Sequence, residues 1–107
     1  MNIDQQLIEE IVRRILAQAK PDRIILFGSA AGGQMTRDSD IDLLILEEIA
    51  RDDIRKERVR LRDMLRGLGF PFDVLVMPTE RFERFKGIIG TIAYPANKYG
   101  KVIYEAA

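Results

Sequence analysis

Two apolar runs separated by a short polar interval constrain this chain more than any other feature. Ile24-Ile25-Leu26-Phe27 ends in Gly28-Ser29, and ten residues later Asp40-Ile41-Asp42 opens Leu43-Leu44-Ile45-Leu46. Short, isoleucine-rich runs bounded by turn residues read as buried β-strands. Glycine permits a tight exit from the first strand and a close approach of backbone to a ligand. The residues after it can start a helix whose free N–H groups face an anion, with the Ser29 hydroxyl as one more donor. Acids at i and i+2 of a strand fall on one face, about 6.5–7 Å apart along it. Asp40 and Asp42 therefore share a side, and Ile41 and Leu43 take the other.

Composition narrows the chemistry available to this corner. The 107 residues contain neither cysteine nor histidine. Disulfides, thiolate metal sites, Ser-His-Asp and Cys-His machinery and histidine acid–base catalysis are thereby excluded. The metal chemistry left is a hard cation such as Mg²⁺ or Mn²⁺ held by carboxylates. Lysines plus arginines balance aspartates plus glutamates at 17 each, which argues against a nucleic-acid partner. No apolar run approaches the roughly 18 residues of a membrane span, and the acidic, amphipathic start is unlike a signal peptide. The expectation is one domain over residues 1–107 in the cytoplasm.

Along the chain, residues 3–19 read as an amphipathic helix on Ile3, Leu7, Ile11 and Ile15, ended by Pro21-Asp22. Residues 23–27 are the first strand, 28–39 a loop with one helical turn after Ser29, and 41–46 the second strand. Residues 51–68 read as a second helix with an apolar line of Ile54, Leu61, Leu65 and Leu68. It carries seven basic residues against four acids and reads as a solvated face. Residues 72–77 form a third strand, closed by Pro78. A short helix follows around 80–87, then a second short segment at 88–94 broken by Pro95. Residues 102–104 form either a last strand or a segment packed on the core. This order predicts an α+β fold of two layers, a mixed β-sheet with helices packed on it.

Asp73 is a lone acid inside Phe72-Asp73-Val74-Leu75-Val76-Met77. An unpaired charge in such surroundings costs several kcal/mol. Beside the second strand it would join Asp40 and Asp42. Three converging carboxylates repel one another, and a divalent cation removes that penalty. With a phosphate held at Gly28-Ser29, the arrangement fits phosphoryl or nucleotidyl transfer. Asp40 and Asp42 would bind metal. Asp73 would bind a second metal or help deprotonate the incoming hydroxyl. Arg37 either reaches a triphosphate or stands as a solvated loop arginine.

Leu26-Phe27-Gly28-Ser29, Ser39-Asp40-Ile41-Asp42-Leu43 and Phe72-Asp73-Val74-Leu75-Val76 together resemble the nucleotidyltransferase domain of the DNA polymerase beta superfamily. They are most similar to its smallest branch, the minimal nucleotidyltransferases. The resemblance implies a polymerase-beta-like palm fold, ATP as substrate and Mg²⁺ as metal. Gly28 and Ser29 would meet the phosphates, and Asp40, Asp42 and Asp73 would form an acidic triad. It also implies a helical HEPN-domain partner in a toxin–antitoxin pair, with AMP transferred to a hydroxyl of the partner, such as a tyrosine. Relatives in that branch often carry arginines directly after Gly-Ser, where this chain has Ala30-Ala31-Gly32-Gly33. The alternative is a catalytically inactive module that neutralises its partner by contact. The chain lacks room for a further substrate-binding domain, so an acceptor would be bound by the partner or by a second subunit.

Overall fold

The computed structural model describes residues 3–33, 36 and 38–107. Helix α1 spans Gln5–Leu16, and the Asp4 carboxylate caps it by accepting the Gln6 N–H at 2.8 Å. Its buried stripe is Ile8, Ile11 and Ile15, the face the sequence periodicity predicts. It ends at Leu16 rather than at residue 19. The Gln18 N–H already bonds the Ile15 carbonyl in an i→i+3 turn at 3.1 Å, which tightens the last turn and stops propagation.

Strand β1 (Arg23–Phe27), helix α2 (Ser29–Gly32) and strand β2 (Ile41–Glu47) follow. A 3₁₀ turn at Arg51–Asp53 leads into α3 (Ile54–Asp63). Strand β3 (Phe72–Pro78), α4 (Thr79–Phe85), α5 (Ala93–Tyr99) and strand β4 (Lys101–Glu105) complete the fold. The sheet order is β3-β2-β1-β4. β1 is antiparallel to both β2 and β4, and β2 is parallel to β3 through the α3 crossover. The sheet is mixed, as expected, and residues 101–105 are a true edge strand.

Two differences in the helices have local causes. Helix α3 stops at Asp63, five residues early, and i→i+3 turns carry the chain on (Leu65 N–H to Arg62 at 3.0 Å). The Arg14 guanidinium of α1 donates to the carbonyls of Met64 (3.2 Å) and Arg66 (2.8 Å). Carbonyls left over at a helix end are thus satisfied by a neighbouring helix. Pro95 does not break a segment; it sits in the first turn of α5. Proline is tolerated there because the N–H it lacks has no intrahelical partner.

The core divides along the sheet. Ile11 and Ile15 of α1, Leu61 of α3, and Ile24, Leu26, Ile41, Leu43, Ile45, Val74 and Val76 fill one side. Ile25, Leu44, Leu46, Phe82, Ala93 and Ala96 fill the other, under α4 and α5. Adjacent residues of β2 thus go to opposite sides, and both sides are covered. That is why its sequence reads as a continuous apolar run rather than an alternating one. Arg23 ties the second layer down: it pairs with Glu83 of α4 and lies over the Phe82 ring at 5.3 Å.

Candidate functional site

The register of the sheet assembles the corner. Phe27 of β1 lies opposite Asp42 of β2, and Asp42 lies beside Asp73 of β3. The C-terminal end of β1 and the N-terminal ends of β2 and β3 thus meet at one edge. Laterally paired residues in strands about 4.8 Å apart leave the sheet on the same side. Asp42 and Asp73 therefore stand next to each other. They share the side that carries Leu44, Leu46, Leu75 and Met77 farther along the strands. Asp40 is exposed and precedes β2.

Gly28 closes the corner from the β1 side. Its φ of 69° and ψ of −151° belong to a region that only glycine occupies readily. A Cβ built on it would overlap Asp42 Oδ2, so the turn backbone rests directly against the carboxylate. Ser29 begins the one helical turn α2, which Gly33 ends with φ 73°. The leading N–H groups of that turn have no carbonyl within it to bond. Arg37 lies outside the described residues.

The electrostatics of the corner follow from this placement. The Asp42 carboxyl is held above the usual aspartate range, first by burial, then by the charges of Asp73 and Asp40. No lysine or arginine pairs with any of the three acids among the described ion pairs. Hard oxygen donors with uncompensated negative charge suit a hard divalent cation. Among the described residues no three acidic side chains draw together tightly enough to enclose a metal unaided. Magnesium commonly retains waters and takes phosphate oxygens beside one or two carboxylates.

Helix α3 contributes residues the sequence reading leaves in solvent. Arg55, Arg58 and Arg62 form, with Val59, Asp73 and Val74, a groove of about 200 Å³ along the outer edge of β3. The Arg58 Nε donates to the Val74 carbonyl at 3.0 Å. The signal was present as a stripe at i, i+3 and i+7. Its proximity to Asp73 depends on the crossover and is not a property of the helix.

Comparison with known proteins agrees with the fold. Residues 7–97 match the family described as "Nucleotidyltransferase domain". A Methanocaldococcus jannaschii protein assigned as a candidate protein adenylyltransferase, MJ0141, is 32% identical over 75 residues, 68% of this chain and 74% of that protein. Among solved structures, a toxin–antitoxin complex with AMP-PNP is 18% identical with a TM-score of 0.61, covering 92% of this chain and 73% of the other. A tri-AMPylated Shewanella oneidensis HEPN toxin in complex with its MNT antitoxin is 16% identical with a TM-score of 0.56, covering 97% and 74%. At these identities the solved structures speak for the fold alone.

Proposed function

Since this chain belongs to the nucleotidyltransferase domain family and is a nucleotidyltransferase, we propose that it transfers AMP from ATP to a hydroxyl of a partner protein. The partner would be a helical HEPN-domain protein and the acceptor a tyrosine, in a toxin–antitoxin pair. The observation that carries the reading is the in-register placement of Asp42 beside Asp73, with Gly28 pressed against the Asp42 carboxylate. The candidate adenylyltransferase relative supports the reaction class, and the complex with an AMP-bearing HEPN toxin supports the kind of partner.

Gly28 and Ser29 bind the phosphates through backbone N–H groups and the Ser29 hydroxyl, and Arg37 adds a charge to the triphosphate. Asp40, Asp42 and Asp73 would hold Mg²⁺ or Mn²⁺, which neutralises charge on the transferring phosphoryl group and polarises it. The hydroxyl oxygen of the acceptor bonds to the α-phosphorus as the bond to the bridging oxygen breaks. Pyrophosphate leaves, and the hydroxyl proton passes to the Asp73 carboxylate. Partial burial of Asp42 lowers the effective dielectric around it and so strengthens its interaction with positive charge.

The test uses ATP labelled at the α-phosphorus, Mg²⁺ and a helical HEPN-domain protein as acceptor. Label is expected on the partner with wild type and on nothing with Asp40→Asn or Asp42→Asn. Continued labelling by both variants sinks the reading. The absence of arginines at positions 30 and 31 favours one rival, neutralisation by contact alone. That rival requires a stable complex without ATP and full neutralisation by Asp42→Asn.

A further inference from the structure

The three strand ends that meet at the corner form parallel lanes. The phosphate turn lies at the end of β1, Asp40 and Asp42 at β2, and Asp73 at β3, the outermost strand on that side. Beyond Asp73 the sheet ends, and the next surface is the flank of α3. An acceptor can reach Asp73 over this flank, along the groove that Asp73 helps line, without crossing the phosphate lane.

That flank carries three positive charges that no carboxylate takes among the described ion pairs. Arg55, Arg58 and Arg62 are exposed and line the groove that Asp73 closes on its other wall. None of the three pairs with a carboxylate among the described ion pairs, whereas Arg60 and Arg66 on the same segment are taken by Glu57 and Asp63. Arg58 is positioned by its bond to the Val74 carbonyl. Between the guanidiniums lies Val59, an apolar side chain left 45% exposed. A helix rises about 1.5 Å per residue, so the three charges span about 10 Å.

We infer that this groove docks an acidic, partly apolar protein segment whose hydroxyl is delivered to Asp73, the inference resting on the AMP-transfer reading above. Its chemistry favours a peptide over a nucleic acid. A single-strand binder combines a continuous basic track with aromatic platforms. Here the basic stretch is short, acids flank it at Asp52, Asp53 and Asp63, and neither α3 nor the groove contains an aromatic residue. Carboxylates at alternate or i, i+3 positions can take the arginines while an apolar neighbour covers Val59. Arginine suits this task because its planar fork holds a carboxylate with two parallel bonds.

The probe is a random copolymer of glutamate and tyrosine, which combines acidic charge with tyrosyl hydroxyls. Binding of a fluorescent form is followed by anisotropy at low salt, and ATP·Mg²⁺ binding is measured in parallel by calorimetry. The double variant Arg55→Glu/Arg62→Glu should bind the copolymer about tenfold or more weakly, with ATP·Mg²⁺ affinity unchanged. Arg84→Glu, half that charge change and placed on α4, should stay within about twofold. Single Arg55→Ala and Arg62→Ala variants, each expected to lose about threefold, keep the test decisive if the double variant misfolds. Equal binding by wild type and these variants overturns the inference. So does tighter binding of a 20-residue oligothymidylate, lost in the same variants. If copolymer binding follows the arginines while no AMP is ever transferred, the docking groove stands and the reaction falls.

Discussion

Glu47 ends β2 with its side chain almost fully covered, at 6% exposure, and its Oε1 has no hydrogen-bond partner. Its carboxyl faces Glu57 of α3, whose own carboxylate takes the Arg60 Nε at 2.8 Å. Arg60 in turn donates to the Gln18 carbonyl after α1 at 2.9 Å. Burial first, then the hydrogen bond to Glu57 and its charge, push the Glu47 carboxyl up from 4.5 to about 8. Near neutral pH the folded protein therefore holds a proton at Glu47 that the unfolded chain has released. Between about pH 4.5 and 8 the native state binds more protons than the unfolded state. Stability must fall as pH rises through that window, and level off above it. A shift of this size corresponds to about 5 kcal/mol at 1.36 kcal/mol per unit. Glu57, whose carboxyl Arg60 holds below the ordinary range, is ionised in both states across that window and adds no slope there. We expect a net loss of about 2–3 kcal/mol between pH 5.5 and 8.5. Glu47→Gln keeps an N–H donor toward Glu57 and cannot ionise. It should match wild type at pH 5.5 and exceed it at pH 8.5 by roughly 10–15 °C in Tm. Urea titrations at the two pH values, with thermal melts beside them, give both numbers. A wild-type midpoint that is flat or rises with pH, or a Gln variant that declines in parallel, refutes the reasoning.

Other perturbations probe the corner and its support. Gly28→Ala places a methyl group on Asp42 Oδ2 at a backbone conformation reserved for glycine; it should cost about 1–3 kcal/mol of stability and about a hundredfold in AMP transfer, and near-normal turnover would contradict the site. Asp42→Asn should make the metal-free protein slightly more stable, because a half-buried carboxylate pressed by Asp73 and Asp40 is removed. Mg²⁺ should then raise the Tm of wild type, by about 2.7 kcal/mol of stability at a hundredfold excess over Kd, and leave the variant unmoved. Gly100→Ala has ordinary extended backbone, but its Cβ would meet the Ala96 carbonyl oxygen and lie 2.6 Å from Ile25 Cγ2; a loss of about 1–3 kcal/mol in urea titration is expected from overpacking alone.

Local rules carried the reading a long way. Apolar runs bounded by turn residues identified β1, β2 and β3; β1 and β2, buried on both faces, need little context to declare themselves. The i, i+2 spacing predicts Asp40 and Asp42 on one side of a strand; Asp42 lies in β2, and Asp40 precedes it. The helix ends escaped, because Arg14 reaching from α1 to the carbonyls of residues 64 and 66 is a contact between segments fifty residues apart. Pro95 was misjudged as a breaker because its cost depends on where in a helix it falls.

Alternation and spacing along the chain are covalent facts, so two of the proposed acids, Asp40 and Asp42, and the turn before them stand out from residues 24–46 alone. Which strand lies beside which is settled only when the chain closes on itself. The crossover through α3 sets β3 parallel to β2, and this brings Asp73 alongside Asp42. The same crossover lays three arginines along Asp73's outer wall and covers Glu47 at the far end of the strand. Those relations depend on burial and on distances through space, which no periodicity in a linear sequence encodes.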